Sequence, residues 1–168
     1  MNSHQIRFDA DLIRRYDRAG PRYTSYPTAV QFTDKFGLNE YRAAAMASNQ
    51  DPIPRPLSLY VHIPFCSSPC FYCGCTKVIT RNHEKAEAYL YRLHREIELQ
   101  SQLYDRDREV EQLHFGGGTP TFLTSLEIDR LIEKLGSHFK LSRDPSREYS
   151  IELDPRTITR DTLRDLAK

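Results

Sequence analysis

The sequence predicts an α/β fold built on a parallel sheet, and three observations lead to it. From residue 57 onward the chain reads strand, helix, strand, helix, strand, helix start, with no hairpin turn between any two strands. Each strand alternates, one face apolar and the other polar. An open sheet covered by helices on both sides would want apolar residues on both faces of most strands, so the polar faces point to an incomplete barrel whose interior is a ligand cavity. Finally, the first strand runs straight into four cysteines within ten residues, Cys66, Cys70, Cys73 and Cys75, which are all the cysteine in the chain.

Taken in order, Asp9 to Ala19 has a short helical pattern (Leu12, Ile13, Tyr16) that Gly20 and Pro21 would stop. GPRYTSYPTA, residues 20–29, holds no regular helix and reads as a surface loop with locally packed tyrosines. Asn39 to Ala47 reads as a second helix, capped by Asn39. In DPIPRP, residues 51–56, three prolines deny both helix and ladder hydrogen bonds, which puts a boundary there: an extension over 1–55 and a core over 56–168. The core strands are Leu57 to Ile63, Val110 to Phe115 and Glu148 to Asp154. Leu57, Leu59, Val61 and Ile63, then Leu113 and Phe115, then Tyr149, Ile151 and Leu153, should lie under the helices. Asn82 to Tyr104 is the clearest helix, with Ala86, Tyr89, Leu90, Leu93 and Ile97 on one stripe. Thr124 and Glu127 form a capping box that opens another helix, through Ile128, Leu131, Ile132, Leu135 and Phe139, and a last helix starts at Thr159.

Composition sets the class. With 168 residues, 39% hydrophobic and 28% charged, the chain is one ordinary globular core rather than a disordered segment. A net charge of +1 gives no reason to expect nucleic acid or an acidic membrane as partner. No apolar run is long enough to span a bilayer, and the acidic, non-apolar start is not a leader peptide. Clustered thiols then fit a reducing cytoplasm.

The chemistry starts at the cysteines. Thiolates spaced C-x-x-x-C-x-x-C on one loop can converge on a polynuclear centre, and closely spaced cysteines are how iron–sulfur clusters are held. The alternatives are structural zinc, which takes four closed ligands from separated knuckles, and disulfides, for which such crowded neighbours make poor pairs. Gly116 to Gly118, followed by Thr119, end the second strand, where parallel sheets bind ligands; a tight turn is the plain alternative. Glu152 lies on the polar face near the end of the third strand, either as a ligand-binding acid or as an ion-paired surface glutamate. Tyr60, His62 and His114 share that polar face, the histidines reading as satisfied interior residues rather than catalysts.

These motifs resemble a known family. C-x-x-x-C-x-x-C after a strand resembles the signature of radical S-adenosylmethionine (SAM) enzymes, and YVHIPFC…CFYCGC is similar to the oxygen-independent coproporphyrinogen III oxidases. The resemblance implies the first half of a partial (β/α)6 barrel with a short N-terminal extension. It implies a [4Fe–4S] cluster on Cys66, Cys70 and Cys73, with Cys75 spare and SAM on the fourth iron. By the same resemblance Gly117, Gly118 and Thr119 hold the methionyl end of SAM, Glu152 its ribose, Tyr60 another part of it, and Tyr72 lies near its adenine. No catalytic acid or base is assigned. GPRYTSYPTA resembles the N-terminal signature of the same oxidases and would fold over the mouth of the site, with Arg22 near substrate.

The implied reaction is one-electron cleavage of SAM to a 5′-deoxyadenosyl radical. That radical takes hydrogen from a substrate propionate, which loses CO₂, turning coproporphyrinogen III into protoporphyrinogen IX. The partners are then a small porphyrinogen, an external electron donor and an electron acceptor, and the full-length enzyme would be a monomer. Relatives in this family are well over twice as long, so the chain is expected to be an N-terminal fragment, inactive alone, with any second SAM site outside it. A non-catalytic haem-carrying relative is the competing reading, disfavoured by GPRYTSYPTA and Cys75, and a metal-binding remnant is a third.

Overall fold

The computed structural model describes residues 8–17, 28–71 and 73–167. These fall into two compact units, Met1–Gly37 and Leu38–Lys168. In the first, α1 (Ala10–Tyr16) is started by Asp9, whose carboxylate accepts the N–H groups of Asp11 and Leu12 at 3.0 and 2.9 Å. A single 3₁₀ turn comes next, at Ala29–Gln31. The Gly20–Pro21 stop and residues 20–27 of GPRYTSYPTA, Arg22 included, lie outside the described residues.

The second unit opens with α2 (Leu38–Ala47). It begins one residue earlier than predicted, which puts Asn39 in the first turn rather than at the cap. Two side chains tie this helical segment to residues some 55–60 positions further along. The Tyr41 hydroxyl donates to Gln100 at 2.6 Å, and Asn49 donates to the Leu103 carbonyl at 3.0 Å. Arg108 closes the proline segment against it, donating to the Arg55 carbonyl, Ser48 and Asn49 at 2.7–3.1 Å.

Strand β1 (Leu57–Ile63) ends the proline segment; β2 (Phe65–Cys66) is next, and β3 (Val78–Ile79) returns after the cysteine loop. Helix α3 (Glu84–Ser101) leads to β4 (Glu109–Gly117), and a 3₁₀ turn at Pro120–Phe122 to α4 (Ser125–His138). Strands β5 (Lys140–Leu141) and β6 (Glu148–Ile151) and helix α5 (Arg160–Leu166) complete the order. Every pairing among the described strands is parallel. Strand β4 is central: β1 runs along one edge from Leu57↔Val110 to Ile63↔Gly117, and β5 and β6 share the other.

The apolar stripe does what its spacing requires. Leu57, Val61 and Ile63 on β1 and Val110, Leu113 and Phe115 on β4 pack beneath Ala86, Leu90, Leu93 and Ile97 of α3 and Ile128, Leu131 and Leu135 of α4. Burying each such aliphatic side chain contributes about 1.5–3 kcal/mol, which is what holds helices to sheet. The capping box forms as read: Thr124 Oγ1 accepts the Glu127 N–H and Glu127 accepts the Thr124 N–H at 2.8 Å.

Three strand-level expectations change. Strand β4 extends two residues beyond Phe115, because its glycines continue to pair with the end of β1. Strand β6 stops at Ile151, although the Glu152 N–H still bonds the Phe115 carbonyl at 2.9 Å. Beyond it Asp154 turns the chain by accepting the Arg156 N–H at 2.9 Å. Tyr149 and Leu153, expected under the helices, are 36% and 37% exposed. Tyr149 keeps its predicted face, in register with Leu113, and its hydroxyl reaches the carbonyls of Val110 and Ser142, at 3.0 and 3.2 Å.

Candidate cluster and cofactor site

The site forms where β1, β4 and β6 end. The chain leaves β1 through Pro64 into β2 and excurses through Ser67 to Lys77. It returns as β3, clamped by the Val78 N–H on the Pro64 carbonyl (2.7 Å) and the Thr80 N–H on the Cys66 carbonyl (2.9 Å). The cysteine loop is therefore closed at its base by two backbone bonds. Cys66 is buried in that base, Cys73 is half-buried, and Cys70 and Cys75 are exposed; all four thiols are free. The Cys75 backbone N–H and then the Lys77 ammonium hold the Cys73 thiol below its ordinary value. Burial and the neighbouring Cys73 push the Cys75 thiol up.

The glycine loop is bolted to this base. The Gly118 N–H donates to the Ile63 carbonyl and the Thr119 N–H to the Phe65 carbonyl, both at 2.8 Å. Thr119 Oγ1 reaches Cys66 Sγ at 3.5 Å. Two glycines are required here for different reasons. Gly117 has φ +112°, a conformation costly for any side chain, and a Cβ there would sit 2.6 Å from the His62 ring. A Cβ on Gly118 would sit 2.8 Å from the Pro64 carbonyl carbon and the Pro64 and Phe65 carbonyl oxygens. Both glycines are thus needed for close packing of this loop against His62 and the Pro64–Phe65 backbone.

The polar face of the sheet carries two hydrogen-bonded groups joined by one ring stack. Tyr60 stacks on His114 with ring centroids 5.7 Å apart and shares a 3.2 Å hydrogen bond with His62 Nδ1. His62 Nε2 faces the Thr76 carbonyl at 2.9 Å, so that nitrogen carries the proton and Nδ1 accepts from the Tyr60 hydroxyl. His114 Nδ1 meets Ser150 at 2.7 Å and its Nε2 meets Glu152 at 3.3 Å. The other Glu152 oxygen accepts the Gly117 N–H at 3.2 Å. Burial and the Glu152 carboxylate raise the Tyr60 phenol. The histidines are satisfied, as their placement implied, and they connect Tyr60, Gly117 and Glu152 into one row.

Of the residues singled out from sequence, Cys66, Gly118 and Thr119 meet at one point, and Tyr60, Gly117 and Glu152 line the adjoining face. Tyr72 lies outside the described residues. Among the described residues no three Cys, His, Asp or Glu side chains converge as a metal-binding group. Crowding thiolates costs mutual repulsion that a bound cation offsets, so a thiol set on one short loop closes as it binds. The donor set, free thiols on one short loop, fits the implied cluster.

Sequence reading missed the contacts that reach this loop from afar. Arg156 Nη2 lies 3.6 Å from Cys70 Sγ, and Asp154 anchors the guanidinium at 2.7 Å. His83 sits on the Glu127 carboxylate at 2.9 Å and stacks on Phe122, joining the start of α3 to the start of α4. Burial pushes the Glu127 carboxyl up, but the Thr124 N–H and hydroxyl and His83 outweigh it and leave the group below its ordinary value. A polar cleft of about 350 Å³ lies between these groups, lined by Ser67, Arg81, His83, Thr119 and Asp154 among others.

Comparison with known proteins agrees with this geometry. The profile of the radical SAM superfamily matches residues 60–168. The oxygen-independent coproporphyrinogen III oxidase of Pseudomonas aeruginosa is 52% identical over 158 residues, covering 94% of this chain and 34% of the relative. A protein of the same name from Mannheimia haemolytica is 46% identical over 151 residues, 90% of this chain and 99% of the relative. The solved coproporphyrinogen III oxidase of Escherichia coli, described as a radical SAM enzyme, superposes with a TM-score of 0.76 at 45% identity, over 97% of this chain and 34% of that one. The chain thus spans about a third of the length of the first curated relatives it matches. By profile, sequence and fold, it belongs to the radical SAM superfamily, whose enzymes use a [4Fe–4S] cluster and SAM, and within it to the oxygen-independent coproporphyrinogen III oxidases.

Proposed function

We propose that this chain carries the cluster- and SAM-binding part of an enzyme that decarboxylates coproporphyrinogen III to protoporphyrinogen IX without oxygen. One observation supports the reading above the others: the glycine loop is fixed to the end of β1 and to β2, which bears Cys66, by the Gly118 N–H on Ile63 and the Thr119 N–H on Phe65, each 2.8 Å. A ligand lying on that loop is therefore held beside the first cysteine without a flexible link. When bound, the cluster and SAM supply one-electron radical chemistry that oxidises an unactivated propionate carbon.

The protein's own groups then have distinct tasks. Cys66, Cys70 and Cys73 hold the cluster, and Cys75 is not a ligand. Gly117, Gly118 and Thr119 form the loop that holds the methionyl end of SAM. Glu152, oriented by His114 and the Gly117 N–H, accepts from the ribose hydroxyls. Tyr60, fixed against His114, gives SAM a flat wall, and the family resemblance assigns Tyr72 to its adenine. The porphyrinogen, an external electron donor and an electron acceptor complete the reaction, in the cytoplasm. No helix of the described residues is long and apolar enough to cross a membrane.

The test is electron paramagnetic resonance of the reduced, anaerobically reconstituted chain with and without SAM. A SAM-induced change in the spectrum is expected in wild type and its loss in Gly117→Val, which puts a branched side chain against His62. A wild-type spectrum unchanged by SAM would overturn the reading.

A further inference from the structure

Two side chains from the ends of other strands reach the sulfurs of the cysteine loop. Arg156, in the turn after β6, places Nη2 3.6 Å from Sγ of Cys70. It is not free to swing there: Nε and Nη2 donate to the two Asp154 carboxylate oxygens at 2.9 and 2.7 Å. Asp154 is 15% exposed and the Arg156 side chain 60%, so the fold fixes the carboxylate and the carboxylate fixes the guanidinium. At the other end of the loop Thr119 Oγ1 lies 3.5 Å from Sγ of Cys66. A guanidinium has five donors and a permanent charge, so it can serve a carboxylate and a sulfur together.

We propose that Arg156, held by Asp154, is a positioning residue that donates to the Cys70 sulfur and raises the reduction potential of the cluster the cysteines hold, with the Thr119 hydroxyl acting likewise at Cys66. This rests on the reading that those cysteines carry a [4Fe–4S] cluster. Reduction adds one electron, and therefore one negative charge, to a centre held by thiolates. Hydrogen bonds and positive charge at the sulfurs stabilise the more negative state, which moves the potential upward. A role confined to holding the turn after β6 would strap Asp154 to Arg156 in the same way but leave the potential alone.

The experiment is a one-electron potentiometric titration of the anaerobically reconstituted chain, read by electron paramagnetic resonance. In Arg156→Met the ratio of reduced to oxidised cluster at the wild-type midpoint should fall about tenfold, a midpoint about 59 mV lower. Asp154→Asn, which frees the guanidinium, should fall in the same direction by less, and Arg156→Lys should recover part of the loss. Wild-type protein grown with ¹⁵N-guanidinium arginine should show a ¹⁵N hyperfine coupling to the reduced cluster, absent in Arg156→Lys; if Arg156→Met takes up no cluster, this measurement decides alone. A loaded Arg156→Met with an unchanged midpoint, or a loaded wild type without the ¹⁵N coupling, overturns the inference and leaves the cluster assignment standing. A wild type that takes up no iron and sulfide overturns the cluster assignment and this inference with it.

Discussion

Replacing Gly118 by alanine tests how the glycine loop and the cysteine strand are joined. The added Cβ would lie 2.8 Å from the Pro64 carbonyl carbon and the Pro64 and Phe65 carbonyl oxygens. An ordinary contact needs about 3.5 Å, so one backbone must withdraw by about 0.7 Å. Neither can do so cheaply, because both adjoin the parallel pair formed by β1 and β4. Forced overpacking costs about 1–3 kcal/mol. The withdrawal also stretches the Gly118–Ile63 bond, now 2.8 Å, and a lost hydrogen bond costs about 0.5–1.5 kcal/mol. We expect Gly118→Ala to lose about 2–4 kcal/mol, from the same two sources. The assay is urea unfolding of the metal-free chain monitored by circular dichroism. Gly74→Ala is the control: Gly74 lies between Cys73 and Cys75, but a Cβ there meets nothing within 4 Å. It should change stability by no more than about 0.5 kcal/mol, as for an unencumbered surface site. Equal stability of Gly118→Ala and wild type would show that the loop is not pinned to the cysteine strand and would refute the reasoning.

Packing and charge give two further outcomes. Leu131 on α4 is fully buried over the sheet, so Leu131→Ala should cost about 2–5 kcal/mol in the same assay; a loss under about 1 kcal/mol would mean α4 is loosely seated. Lys134 and then Arg95 hold the Glu98 carboxyl down from its ordinary 4.5 to about 2. Its folded value lies below the unfolded one, so the stabilisation is complete above pH 4.5 and fades as pH falls toward 2. Glu98→Gln should unfold with a shallower pH dependence across that window, and an unchanged acid limb would contradict the assignment.

The strand and helix order was legible because it rests on long periodic segments. The stripe of α3 and the Thr124–Glu127 box leave little choice of conformation, and one polar face per strand announced Tyr60, His114 and Glu152 as neighbours. Two-residue strands such as β2, β3 and β5 carry no period, so nothing in Phe65–Cys66 or Val78–Ile79 marks the clamp that closes the cysteine loop. The end of β6 was misplaced because parity continues through Leu153, whereas the Asp154 side chain takes the Arg156 N–H and turns the backbone. Arg156 itself was invisible for a related reason: its sulfur partner lies 86 residues away, and only the packing of β6 beside β4 brings the two together. Tyr149 keeps its predicted face, in register with buried Leu113. Among the described strands, however, β6 pairs only with β4 and sits at the sheet edge, so the ring stays 36% exposed while its hydroxyl takes two carbonyls there.

The central claim is that Cys66, Cys70 and Cys73 hold an iron–sulfur cluster and Cys75 does not. Iron and acid-labile sulfide, measured on the anaerobically reconstituted chain and its four single cysteine-to-alanine variants, test it most directly. The account predicts about four irons and four sulfides per chain in wild type and in Cys75→Ala. It predicts loss of both in Cys66→Ala, Cys70→Ala and Cys73→Ala. Stoichiometric zinc without sulfide in wild type, or a cluster that survives Cys73→Ala but not Cys75→Ala, would contradict it.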